Sequence, residues 1–104
     1  MPLITNILVL SITAYCHCKT CCGPSASGIA ANGKPVTPEI TVAGPRRYKL
    51  GSSVTIAGLT NKFKLNDRLA KRYDNRIDIY MSSHSDARKW GIQKRQVTII
   101  STVK

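Results

Sequence analysis

Acidic side chains are scarce in this sequence. Five Asp and Glu stand against sixteen Lys and Arg, a formal net charge of +11, so the partner that such a field attracts is a polyanion. Aromatic residues are also few, at 6%, which leaves little material for the stacking platforms of single-strand nucleic-acid binders. No run of Lys or Arg exceeds two residues, and no helix-turn-helix or RNA-recognition signature is present. Nucleic acid is therefore not the expected partner. No apolar run approaches the roughly eighteen residues of a spanning helix, so no membrane span is expected. The N-terminal Met1 to Leu10 has no basic n-region, carries Asn6 and is followed by no small-residue cleavage site. It reads as a strand; an export signal, if one is used, comes from outside this sequence or by another route.

What is present is enough for one modest core. A chain of 104 residues with 42% hydrophobic content is read as a single globular domain, 1–104, without room for a separate substrate domain. Leu3 to Tyr15 is rich in Ile, Leu, Val and Thr and predicts one long or two short strands. Ile40 to Val42, Val54 to Ala57, Phe63 to Asn66, Arg76 to Tyr80 and Val97 to Val103 predict further strands. Between Cys16 and Pro45 the glycines and prolines Gly23, Gly28, Gly33, Pro24, Pro35 and Pro38 recur too often for a helix. Ser83 can cap a helix, Asp86 stands three residues on as in a capping box, and Gly91 is a natural stop, which predicts about two turns. Six short strands and one brief helix make the expected fold mainly β, a small barrel.

The acids are concentrated. Asp67, Asp74 and Asp78 all fall between Asp67 and Tyr80. Alternation in Arg76-Ile77-Asp78-Ile79-Tyr80 turns Ile77 and Ile79 inward and leaves Arg76, Asp78 and Tyr80 on the opposite face. Asp78 is then either a strand-face aspartate paired with Arg76 or, if the connection from Asp67 folds back, half of a paired-carboxylate site. On the first strand the same alternation puts Thr13 and Tyr15 together, where they can line a groove.

Cys16, Cys18, Cys21 and Cys22 fall within seven residues around His17. Two disulfides, a metal site and reduced thiols all remain open. A closed zinc site usually draws its ligand pairs from separated segments, and adjacent Cys21 and Cys22 do not easily reach one tetrahedral ion. A nucleophilic cysteine has only His17 and a distant His84 as possible bases.

Several segments resemble a known family in their order and spacing. They are Thr13-Ala-Tyr15-Cys, Cys21-Cys-Gly-Pro-Ser-Ala-Ser-Gly28, Ala31-Asn-Gly-Lys-Pro35, Thr41-Val-Ala43, Leu50-Gly-Ser52, Asn66-Asp67-Arg68, Arg76-Ile-Asp-Ile-Tyr80, Ser83-His84 with Ala87, and Trp90-Gly91. From about Ile12 to Val103 the chain resembles the 3D domain, named for three aspartates. It is similar to the double-psi β-barrel that carries catalysis in membrane-bound lytic murein transglycosylase A. The resemblance implies a six-stranded double-psi β-barrel with one short helix. It further implies a lytic transglycosylase that cuts the β-1,4 bond between N-acetylmuramic acid and N-acetylglucosamine in peptidoglycan, without a cofactor.

Under the resemblance Asp78 is the acid and base, Asp67 is the second aspartate, and Thr13 and Tyr15 line the groove; Arg76 and Tyr80, which alternation puts on the same strand face as Asp78, are the further substrate contacts expected. Arg68-Leu69 stands where the family usually has Thr-Gly, and no acid occurs near Val42 to Pro45, where its third aspartate falls. The expected partners are glycan strands and anionic cell-wall polymers, and the expected location is the cell envelope or outside the cell. The alternative is a non-catalytic wall-binding module on the same barrel, a fold also resembled by barwin-like and expansin-like proteins.

Overall fold

A computed structural model describes residues 2–16, 32–69 and 72–102. Six strands and one helix follow in order: β1 (Leu3–Tyr15), β2 (Thr41–Gly44), β3 (Ser52–Ile56), β4 (Phe63–Arg68), β5 (Arg76–Tyr80), α1 (His84–Trp90) and β6 (Gln93–Thr102). The strands close into a barrel in the ring order β1-β5-β2-β4-β3-β6, so the mainly β, six-stranded barrel with a short helix is what the chain forms. The first strand is a single element of 13 residues.

Alternation explains the interior. Leu10 and Ile12, Val54 and Ile56, Phe63 and Leu65, Ile77 and Ile79, and Val97 and Ile99 come in i, i+2 pairs, one pair from each of five strands, with Val42 from the short β2. A barrel of this strand number has an interior that side chains fill, which is why the inward positions are large and apolar. Gly44 marks a close approach inside the barrel: a Cβ there would stand 2.7 Å from Leu65 Cδ1 and 3.2 Å from Ile77 Cδ1.

The pairing senses carry a symmetry that residue types do not. β1 runs parallel to β5 and β2 parallel to β4, while β1/β6, β2/β5, β3/β4 and β3/β6 are antiparallel. Exchanging β1 with β4, β2 with β5 and β3 with β6 maps the ring onto itself and preserves every sense. The first three strands and the last three are thus two halves of one plan, even though the sequence shows no internal repeat.

The helix forms where its caps predict. Ser83 is the N-cap and its hydroxyl accepts from the Asp86 amide at 3.3 Å, while Gly91 closes the helix at φ 68°, a conformation that favours glycine. Trp90 ties α1 to the barrel, its indole N–H donating to the Ile12 carbonyl at 3.0 Å. Two arginines of the basic surface, Arg95 and Arg46, are partly structural. Arg95 donates to the Ala57 carbonyl at 2.8 Å and lies over the Trp90 ring, and Arg46 donates to the Leu69 carbonyl at 3.2 Å.

Candidate active site

The site is built on the outward face of the parallel half of the barrel. Thr13 of β1 is in register with Asp78 of β5, and Ala43 of β2 is in register with Asp78 from the other side. Registered residues share a face, so Thr13, Asp78 and Ala43 all point away from the core formed by Ile12, Ile77 and Val42.

Asp67 reaches this face only because β4 breaks its period. Phe63 and Leu65 point inward, so strict alternation would send residue 67 inward as well. Instead Val42 pairs with Leu65 and Ala43 pairs with Asp67, and Asn66 is left over between them. This bulge re-aims one side chain. Asp67 emerges beside Ala43, on the side that Asp78 occupies. The Asn66 carbonyl accepts from the Asn32 amide at 3.2 Å, so the extra residue is also held from outside the sheet.

Hydrogen bonds link the four outward residues in two pairs. The Thr13 hydroxyl donates to Asp78 Oδ1 in a short contact, and the Tyr15 hydroxyl donates to Asp67 Oδ2 at 3.0 Å. Asp67 Oδ1 accepts its neighbour's amide, Arg68 N, at 2.9 Å. Residues i and i+2 of β1 therefore each hold one carboxylate. Burial is the strongest influence on Asp78 and raises its pKa above the ordinary 3.8; the Thr13 hydrogen bond and the Arg76 charge pull it down, and Asp67 adds an upward push. Burial prevails because a half-dry carboxylate loses hydration that one hydroxyl does not replace. A carboxyl shifted in this direction suits proton donation nearer neutral pH.

Arg76 does not take Asp78 as an ion-pair partner among the described residues. Its guanidinium lies over the Tyr73 ring, 4.6 Å from the centroid, and acts on Asp78 through its field alone. Tyr80, expected in the groove, is 3% exposed and so offers little surface to a ligand. Its ring packs edge-on against Tyr15, with centroids 5.4 Å apart, which makes it a support for Tyr15. Asp74 is not drawn into the site; it stands 3.8 Å from Arg47 on the surface.

At the end of β1 the buried Cys16 places Sγ 3.6 Å from Nδ1 of His84. Sixty-eight positions separate the two residues, which is why they read as distant in the sequence. The parallel pairing of β1 with β5, Tyr15 opposite Tyr80, brings the residues that follow each strand to one end of the barrel. His17, Cys18, Cys21 and Cys22 lie outside the described residues. Among the described residues no three His, Cys, Asp or Glu gather as a metal site, and no helix is long and apolar enough to cross a membrane.

In comparison with known proteins, no protein-family model matches the chain and no curated protein is similar to it.

Proposed function

We propose that this chain is a lytic transglycosylase of the 3D-domain kind, acting on peptidoglycan in the cell envelope or outside the cell. The observation that supports this most is the meeting of Asp78 and Asp67 on one outward face, with Asp78 raised in pKa by burial and oriented by Thr13. Protonated Asp78 donates to the glycosidic oxygen, and the bond from C1 of N-acetylmuramic acid to that oxygen breaks. The C6 hydroxyl of the same sugar attacks C1, forming the 1,6-anhydro ring, and its proton passes to the Asp78 carboxylate. The acid is regenerated and no water is consumed. Asp67, held by Tyr15, pushes the Asp78 pKa up and so favours the protonated state of its neighbour.

Purified sacculi digested with wild type and with Asp78→Asn, followed by mass spectrometry of the muropeptides, test this. Anhydro-terminated products from wild type and a loss of about 10²-fold or more in the variant are expected. Equal turnover by Asp78→Asn removes the assignment, and reducing ends in place of anhydro ends would mean that water attacks instead.

One observation favours a second reading, a wall-binding module without catalysis. Ala43 lies directly across from Asp78, in the segment where the resembled family carries its third aspartate, so a carboxylate that would help charge the site is missing. In that case the sacculus sediments with bound protein and its muropeptide profile is unchanged.

A further inference from the structure

The outward face of β3, β4 and β6 carries a second set of polar groups that the proposed chemistry does not use. We infer that a groove between Lys49 and Lys64 binds the phosphodiester groups of a polyol phosphate polymer. Naming a cell-wall polymer as the source rests on the function proposed above; the donor set does not.

Pleat and register assemble the groove. Val54 and Ile99 are buried in the core, so Ser53 and Ile100, paired across β3 and β6, point outward, and Thr102 follows on the same face. Lys64 of β4 is in register with Ser53 and shares that face from the other side. Lys49, just before β3, reaches the far end of the groove at Thr102. Between the two lysines lies a cavity of about 420 Å³, and none of the residues that line it is acidic.

Hydrogen-bond accounting leaves donors to spare. Lys64 Nζ donates to Ser53 Oγ at 2.9 Å, and Lys49 Nζ donates to Thr102 Oγ1 at 3.2 Å. Each hydroxyl accepts from an ammonium and keeps its own O–H to give, while each ammonium keeps further N–H groups. Ser52 and Ser101 differ: Ser52 donates to the Lys49 carbonyl at 2.5 Å, so Ser101 must donate to Ser52, 2.6 Å away. Their protons are spent inside the protein. Ser53 and Thr102 are diagonal neighbours across the strand pair, with Cβ atoms about 7–8 Å apart. That span admits one tetrahedral anion with an O–H···O bond of about 2.7 Å on either side.

The groove continues past this point. A second cavity, of about 380 Å³, shares Lys49 and Thr102, adds Arg47, and again has no acid in its lining. A further cation beyond the first anion position suits a ligand whose charge repeats. Lysine ammoniums act as point charges that fit a tetrahedral phosphate, whereas planar carboxylates are matched best by an arginine fork. The one aromatic residue of the two linings is Tyr48, and the Arg47 guanidinium lies over its ring, 5.0 Å from the centroid. That leaves a poor platform for stacking bases, so the phosphodiester favoured is one joined by a polyol and not by nucleosides.

The test titrates the whole chain with a short synthetic poly(glycerol phosphate) by calorimetry. Lys49→Gln/Lys64→Gln is expected to weaken binding by about tenfold or more. Lys34→Gln/Lys94→Gln removes the same charge from exposed residues that line neither cavity, and is expected to weaken it by less than about threefold. Ser53→Ala/Thr102→Val changes no charge and is expected to cost about tenfold through the lost donors. Equal losses from the two lysine pairs would mean that only the overall field is felt, and would overturn the inference, as would unchanged binding by the hydroxyl pair. A single-stranded oligonucleotide or a polyglutamate of equal charge that binds as tightly as poly(glycerol phosphate) would overturn the choice of ligand. Binding is read with no glycan present, so its failure leaves the muropeptide test standing, and failure of that test leaves the groove.

Discussion

One strand, β1, passes through two outward surfaces that differ in almost everything except backbone geometry. Along Leu3 to Leu10, where its described partner is β6 alone, the outward side chains include Leu3, Ile7 and Val9, each more than 60% exposed. From Ser11 to Tyr15, where β5 joins in parallel, the outward side chains are Ser11, Thr13 and Tyr15, the last two each bonded to a carboxylate on another strand. Across the junction of the two stretches the inward face does not change: Leu8, Leu10 and Ile12 all pack into or against the same core. Folding of the barrel there depends on the inner face on both sides of the junction. The outer face is free to be plain in one stretch and chemically costly in the next, and the costly stretch is the one where parallel strands bring three segments together.

The strongest way to break this contrast is to delete residues from β4. Removing Lys64, which is in regular register with Thr41 and Ser53, makes Phe63 and Leu65 neighbours and forces one of them out of the core. A loss of about 2–5 kcal/mol is expected, on the scale of emptying a large buried position. Removing Asn66 should do far less. The bulge residue is the extra one, so the shortened strand keeps Val42 opposite Leu65 and Ala43 opposite Asp67 in a regular ladder. The expected loss is about 1 kcal/mol, the size of the bond to Asn32, with Asp67 still facing Asp78. Urea unfolding of the two deletions measures both; equal losses would mean that Asn66 is not the bulged position.

Much of the barrel could be read from residue types. The i, i+2 apolar pairs located every strand to within a few residues, Arg76 to Tyr80 without error, and the Ser83, Asp86 and Gly91 signals located the helix. Thr13, Tyr15 and Asp78 were legible as outward residues for the same reason. Asp67 was not, because its place depends on a bulge, and nothing in Leu65-Asn66-Asp67 distinguishes a bulged strand from a regular one. The approach of His84 to Cys16 was hidden for a different reason: it follows from two strands running parallel, a property of the whole chain path. The burial of Tyr80 and the structural bonds of Arg95 and Arg46 belong to the same class, since each depends on a neighbour distant in sequence.

Asp78 itself offers a sharper, smaller test. Its folded pKa is raised by burial above the ordinary 3.8, so between those two values the folded chain keeps a proton that the unfolded chain has released. Stability contributed by this group then falls as pH rises through the window, and above it the folded state carries the full cost of a half-dry charge. Asp78→Asn removes that cost. The variant is expected to be more stable than wild type at pH 7, by an amount that shrinks to nothing as pH drops below 3.8. For a domain of this size each kcal/mol corresponds to roughly 4–8 °C in Tm, so thermal melts across pH 3 to 8 resolve it. A variant less stable than wild type at pH 7 would show that the carboxylate is a net support of the fold, contrary to its burial.

The smallest effects come from exchanging one chemical group between the two stretches of β1. Thr13→Val and Val9→Thr make the same change in opposite directions on the same face of the same strand, and both keep the β-branched shape that the pleated surface favours. At position 13 the lost hydroxyl is the one that pulls the Asp78 pKa down, so without it that pKa rises further. If Asp78 is the general acid, the decline of activity at high pH should move to higher pH in Thr13→Val, with a stability change on the order of 1 kcal/mol. At position 9 the side chain is 65% exposed, and a new hydroxyl there meets water. Val9→Thr is expected to leave stability within about 0.5 kcal/mol and the pH profile where it was. A matching shift from both substitutions would mean that β1 acts on Asp78 through the strand as a whole. A shift from position 13 alone ties the acidity of the site to a single hydrogen bond and leaves the plain stretch of the strand chemically silent.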